Sequence, residues 1–276
     1  MVRRLGFHRM RVAIGLGVAL VGAFSVTVGL ASPASAAVNC QATPAPLVDL
    51  HGCNLTGAQL AGTDLSGANL ARATLSGANL AGAKLSGTRL VHAVLSGTTL
   101  TSANLTGANL TGATLGNAAL SNATLDGAHL TGANLTGANL TNASLLRAHL
   151  DHAVLSTATL SGANLIRTAL VGANLSGAKL LGTRLVYAKA RGVDLVGANL
   201  TNGHLEGAVL SGANLTRANL TGATLFKAKL MAATLTNANL TNATLVRANL
   251  AGAVLSGVTW TGAACPSGSL AGLLGC

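Results

Sequence analysis

The sequence predicts an all-β repeat solenoid: a chain folded into short flat sides around a dry aliphatic axis. Two observations carry this. From Leu50 to Leu255 every fifth residue is Leu, with Ala190 the one exception and Trp260 in the next slot. Around each Leu the neighbours also recur, with Ala two before, Asn or Thr one before, Ser or Thr one after and Gly two after. An α-helix turns about 100° per residue, so a five-residue step moves about 140° around it and leaves no apolar stripe. A flat strand would throw successive Leu onto opposite faces. A chain that turns a corner every five residues keeps them together. Four sides then close one square coil of about twenty residues, and coils stack. Each Leu points to the axis, Ala fills the smaller gap, and Gly suits the corner because it tolerates positive φ.

The unit as it stands at Ala68-Asn69-Leu70, Ala78-Asn79-Leu80 and Ala108-Asn109-Leu110-Thr111-Gly112 resembles that of the pentapeptide repeat family. The resemblance covers about three quarters of the chain. It implies a right-handed quadrilateral β-helix. It implies little about function, because one architecture hosts many roles.

In chain order, residues 1–36 read as a signal peptide. Arg3, Arg4, Arg9 and Arg11 make a positive start, residues 12–30 are uncharged and mainly apolar, and Ala34-Ser35-Ala36 has the form of a cleavage site. A retained transmembrane anchor is the competing reading; the Gly and Ala content and the cleavage site favour removal. Arg3-Arg4 hints at twin-arginine export, although Leu5-Gly6-Phe7 fits it poorly. The protein is thus expected to be bacterial, and secreted or associated with the cell envelope, with no membrane span once the leader is removed. Residues 37–50 form an N-terminal cap, in which Pro44 and Pro46 discourage strand addition. Residues 51–262 form the β-helix of about ten coils. Residues 263–276 form a C-terminal cap, with Leu270, Leu273 and Leu274 available to cover the open end.

Four Cys in an exported chain suggest disulfides. About ten coils at about 4.8 Å each would separate the caps by roughly 50 Å, whereas a disulfide needs Cα atoms within about 7 Å. The expected pairs are therefore Cys40–Cys53 and Cys265–Cys276, one at each end.

Charged residues are 8% and aromatics 2% of the chain, while the 50% apolar fraction is largely Leu and Ala. No long uninterrupted apolar run follows the leader. Inward positions carry Leu, Ala and small substitutes such as Thr88, Thr98, Val193 and Gly203, none charged. Such an interior leaves no room for a ligand, so function belongs on the outer walls. Removing residues 1–36 leaves thirteen Lys/Arg against six Asp/Glu, a net +7 in place of +11. With twenty-residue coils, eleven of those thirteen, and all six remaining His, fall on two adjoining walls. The wall through Leu50, Leu70 and Leu90 carries His51, Arg72, Arg89, His92, His129, His149, His152, Lys189, Arg191 and Lys229. The wall through Leu65, Leu85 and Leu105 carries Lys84, Arg147, Arg167, Arg184, His204, Lys227 and Arg247. The remaining walls are mostly Ser, Thr, Asn and Val.

One column places Leu146, Ile166, Val186, Glu206, Phe226 and Val246 beside Arg147, Arg167, Tyr187, Gly207, Lys227 and Arg247. It reads as an exposed apolar ladder next to a basic one, and as a contact surface. A basic wall outside a bacterial cell would meet anionic envelope polymers or a partner protein. Specific nucleic-acid binding would call for interleaved aromatics, of which Tyr187 and Phe226 are too few. The alternative function is binding of an ordered surface, ice or polysaccharide, through the Ser/Thr/Asn walls. Family members that protect DNA gyrase resemble B-DNA through an acidic surface; this chain is basic, which disfavours that role. End-to-end dimers occur among relatives, and a homodimer is open here, although Cys-capped ends oppose it.

Chemistry signals are few. His129 and His149, with Asp151 nearby, are weak candidates for Zn²⁺ or Cu²⁺. No Gly-rich phosphate loop opens a helix, and no nucleophile elbow is present. The reading is non-enzymatic and without cofactor. Asn-Leu-Thr triplets match glycosylation sequons, but they follow from the repeat itself.

Overall fold

The computed structural model describes residues 38–265. Within them the residue before each Leu bridges in parallel to the residue twenty positions on, as Asp49 does to Asn69 and Asn69 to Arg89. Four such ladders run without a slip, from Asp49 to Asn249, Asn54 to Val254, Gln59 to Thr259 and Asp64 to Ala264. We call them the first to fourth walls. Each coil is therefore four-sided and twenty residues long, as the five-residue period requires. No helix occurs among the described residues, and none there could cross a membrane.

One unit shows why these residue types make this backbone. Leu105 C=O accepts Ala108 N–H at 2.9 Å, closing a turn whose third residue, Gly107, has φ 64°. Positive φ at that place is the mark of a type II turn. Asn109 N–H donates back to Thr88 C=O (2.9 Å), while Leu110 and Gly112 donate forward to His129 and Thr131 C=O (2.7 and 3.0 Å). One donor of the five is left, Thr111 N–H, and Asn109 Oδ1 accepts it at 3.1 Å together with the Thr111 hydroxyl at 2.7 Å. An unpaired backbone N–H is costly, and this is why Asn or Asp precedes so many of the Leu.

Side chains two before and at the Leu position fill the axis. The Leu and Ala columns are buried almost throughout, from Leu65 to Leu250. Where Thr replaces Ala inside the solenoid, at Thr88, Thr98, Thr168 and Thr183, it remains fully buried and its hydroxyl donates to a Leu carbonyl one coil back. Thr88 reaches Leu65 C=O at 2.9 Å and Thr183 reaches Leu160 C=O at 2.9 Å. The hydroxyl is satisfied, so Thr serves as a slightly larger Ala. Ala190 is the one gap in the Leu column, and a cavity of about 10 Å³ lies there, lined by aliphatic side chains including Leu170, Leu185, Leu195 and Leu210. That is about the smallest space that holds one water, and its walls offer no polar partner.

At the N-terminal end the chain docks on the first coil through Leu47 N–H to Ser66 C=O and Asn69 N–H to Val48 C=O, both 2.9 Å. Val38, Ala42 and Val48 pack against the core. Cys40 and Cys53 are disulfide-bonded with Cα atoms 5.5 Å apart, as expected. Cys265 is also disulfide-bonded; its expected partner Cys276 lies outside the described residues, as do Leu270, Leu273, Leu274 and the whole of residues 1–36.

Candidate functional site

The outer surface is made of the bridging residues, which form the walls, and the two turn residues, which form the corners. The six carboxylates are all engaged locally. Asp194 Oδ1 accepts Val196 N–H at 3.0 Å, in the manner of the Asn residues. Asp126 and Asp151 sit at turns instead and reach one coil on. They accept Leu146 N–H (3.0 Å) and Val171 N–H (2.9 Å), where Ser144 and Ala169 stand in the place of Asn. Asp49 Oδ1 faces His51 Nδ1 and accepts Asn69 Nδ2–H, both at 2.9 Å. The hydrogen bond from the His51 side chain is the main reason its carboxyl is held below the ordinary carboxylate range. Asp64 is likewise held low, first by the Ser66 side chain and backbone and then by Lys84. Glu206 Oε1 accepts the Thr224 hydroxyl at 2.6 Å, and its Oε2 is enclosed without a partner.

Few acids are therefore left to neutralise cations. Among the described residues Lys84 is the one Lys or Arg within ion-pair distance of a carboxylate, 3.5 Å from Asp64. The first and fourth walls carry unpaired positive charge along their length.

At the edge following the fourth wall, Arg147, Arg167, Lys227, Arg247 and Tyr187 are exposed. Their apolar companions differ from expectation. Leu146, Ile166, Val186, Phe226 and Val246 are half-buried rather than exposed. Coils stack at about 4.8 Å, so each apolar side chain covers the next. Lys227 Nζ lies 5.1 Å and Arg247 Cζ 6.0 Å from the Phe226 ring centroid, within cation–π range. The Tyr187 ring lies across Gly207, where a Cβ would fall 2.5 Å from Tyr187 Cε1. The one Gly in this run of corner residues thus lies under the Tyr187 ring. The surface is a cationic edge on an apolar bed, not an apolar stripe.

The His129 and His149 rings are parallel, 7° apart in plane with centroids 4.9 Å apart. Nitrogen lone pairs lie in the ring planes, so stacked rings direct them side by side rather than at one point. Asp151 is turned to Val171 N–H, and among the described residues no group of three His, Cys, Asp or Glu is placed to hold a metal ion.

Family models of pentapeptide repeats match residues 49–87, 78–117, 118–156, 158–195, 194–231 and 228–263. The chain belongs to the pentapeptide repeat family. No curated protein sequence matches it. Among solved members of the family it is similar to HetL, involved in heterocyst differentiation regulation in the cyanobacterium Nostoc sp. strain PCC 7120. The identity there is 34% over 81% of this chain and 89% of HetL, with a TM-score of 0.42. It is similar also to Rfr23 of the cyanobacterium Cyanothece 51142, at 38% identity over 35% of this chain and 63% of Rfr23, with a TM-score of 0.20. QnrB1, a plasmid-mediated fluoroquinolone resistance protein, is 21% identical over 76% of this chain and 90% of its own, with a TM-score of 0.29. Membership in the pentapeptide repeat family accounts for the interior.

Proposed function

We propose that this pentapeptide repeat protein is an exported, non-enzymatic scaffold whose basic walls attach it to an anionic polymer of the cell envelope. The observation that carries the reading is the engagement of all six carboxylates within the fold, which leaves the Lys and Arg of two adjoining walls, Lys84 apart, without a carboxylate partner. The cationic edge supports it further: Arg147, Arg167, Lys227 and Arg247 hold φ of 57–60°, which L-residues adopt at a cost. Positions that the fold would sooner give to Gly carry charge instead. Export is supported by the leader pattern of residues 1–36 and by a disulfide at Cys40–Cys53. An acidic polymer suits a long, regular cationic face better than a compact ligand does, and the bond it forms is sensitive to salt. The hydroxyls that an ordered-surface role would present are engaged sideways, as Thr136 Oγ1 is with Asn134 Oδ1 at 2.6 Å, and a DNA-like acidic stripe is not formed. We therefore place attachment on the basic walls.

Fractionation of cells expressing the full chain tests this. The protein is expected in the envelope fraction at low salt and in the wash at high salt. The variant Arg147→Gln/Arg167→Gln/Lys227→Gln/Arg247→Gln is expected to elute at distinctly lower salt. A protein recovered in the cytoplasm, or a variant that elutes with the unaltered chain, would sink the reading.

A further inference from the structure

The first wall is not flat where it begins. Its corner column runs His51, Ala71, Val91, so a single methyl group stands between an imidazole and an isopropyl group. An open depression of about 550 Å³ lies at this point, with Ala71 in its lining. Four side chains that carry or can carry positive charge share that lining; His51 faces Asp49, and the other three do not. Arg72 and His92 occupy the same corner on consecutive coils, and Arg89 stands on the wall, bridged to Asn69. Both corner residues hold the left-handed backbone conformation, with φ 58° and 55°.

The one acid in the lining is not available to them. Asp49 is tied to His51 and Asn69, and among the described residues neither Arg72 nor Arg89 is within ion-pair distance of a carboxylate. Two guanidinium groups and an imidazole around one hollow repel each other unless an anion sits among them. We propose that this depression is a binding site for a single phosphate group, held by Arg72, Arg89 and His92. Each guanidinium presents a fork of parallel N–H donors to two oxygens, and the imidazole adds another donor. A free phosphate has enough oxygens to receive all three groups; a phosphodiester offers two unbridged oxygens, one to each guanidinium fork. The inference rests on the reading of the basic walls as a polymer-binding surface and gives that surface a defined subsite. The phosphate could be free or part of a phosphodiester polymer.

The full-length protein, labelled with ¹⁵N-arginine, is titrated with inorganic phosphate in one arm and with a glycerol-phosphate polymer in the other. Saturable shifts are expected at two Arg Nε–H resonances, assigned through Arg72→Gln and Arg89→Gln. Ala71→Leu fills the hollow without changing the charge, and is expected to weaken phosphate binding at least tenfold; Arg217→Gln, on the second wall, leaves it unchanged. If Ala71→Leu fails to fold by circular dichroism, Arg72→Gln/Arg89→Gln decides the matter by the same tenfold criterion. Uniform, non-saturating shifts of every Arg, or phosphate affinity unmoved by filling the hollow, would overturn the site while leaving polymer attachment standing. Phosphate bound here with no affinity for the polymer would keep the site and remove the attachment.

Discussion

Along one edge of the solenoid the same turn position carries Gly67, Gly87, Gly107 and Gly127, and then Arg147, Arg167, Tyr187, Gly207, Lys227 and Arg247. The backbone hardly notices the change: φ is 64–66° over the four Gly and 56–60° at the five larger residues. The ladders on either side of the corner set the torsion, and the residue conforms. The comparison teaches that the amino-terminal stretch uses the residue the turn prefers, while the carboxy-terminal stretch sets charge against that preference. The core shows a parallel contrast. Around Leu125 the aliphatic column is complete and inaccessible, whereas near Leu185 it is interrupted at Ala190.

Five changes break or sharpen this contrast. Leu125→Ala should have the largest effect, a loss of about 2–5 kcal/mol in denaturant unfolding, because a closed core cannot collapse onto the void. Leu185→Ala should cost less, since its surroundings are already incomplete; equal losses would show that the gap at Ala190 has no energetic consequence. Ala190→Leu should stabilise the carboxy-terminal coils by about 0.5–2 kcal/mol, the usual range for filling a cavity. A drop in stability would mean the walls there are too close for a full side chain. Next come the corner exchanges. Gly127→Arg should destabilise and Arg147→Gly should stabilise, each by about 0.5–1 kcal/mol after allowing for the greater chain entropy of Gly. The same sign for both would dismiss the backbone cost.

The smallest effect concerns pH. Asp49 and Asp64, both in the first coils, have carboxyls held below their ordinary range in the folded protein. A depressed folded value contributes stability above the unfolded value, and that contribution is lost as pH falls through the folded one. Amide protection should therefore fall in the coils around Leu50 and Leu65 before those around Leu225 on acidification. Asp49→Asn should lessen the difference.

The fold was legible because one constraint, a turn every five residues, decides both the interior and the register. From it the inward Leu and Ala, the inward Thr88 and Thr98, the Cys40–Cys53 pair and the division of charge among walls all follow. Two features were not legible. The Asn-Leu-Thr triplets look like a by-product of the repeat until the donors of one unit are counted; Asn109 then proves to be the partner of an otherwise unpaired N–H. The signal was present, in the pairing of Asn before Leu with Thr after it. The half-burial of Ile166 and Phe226 was the other. A turn residue looks exposed in a single coil, and only stacking with its neighbours twenty residues away shows how much of it is covered.

The parallel ladders step by twenty residues and the sides by five, so the molecule behaves as a screw gauge for its own decoration. Duplicating a whole coil would push the Arg147–Arg247 edge further from Arg72 and Arg89 and keep its bearing. Inserting one five-residue unit between them would leave the interior unchanged and swing that edge round by a quarter turn. In such a chain, length and heading of the charged faces can be altered independently, by insertions that the aliphatic axis does not register.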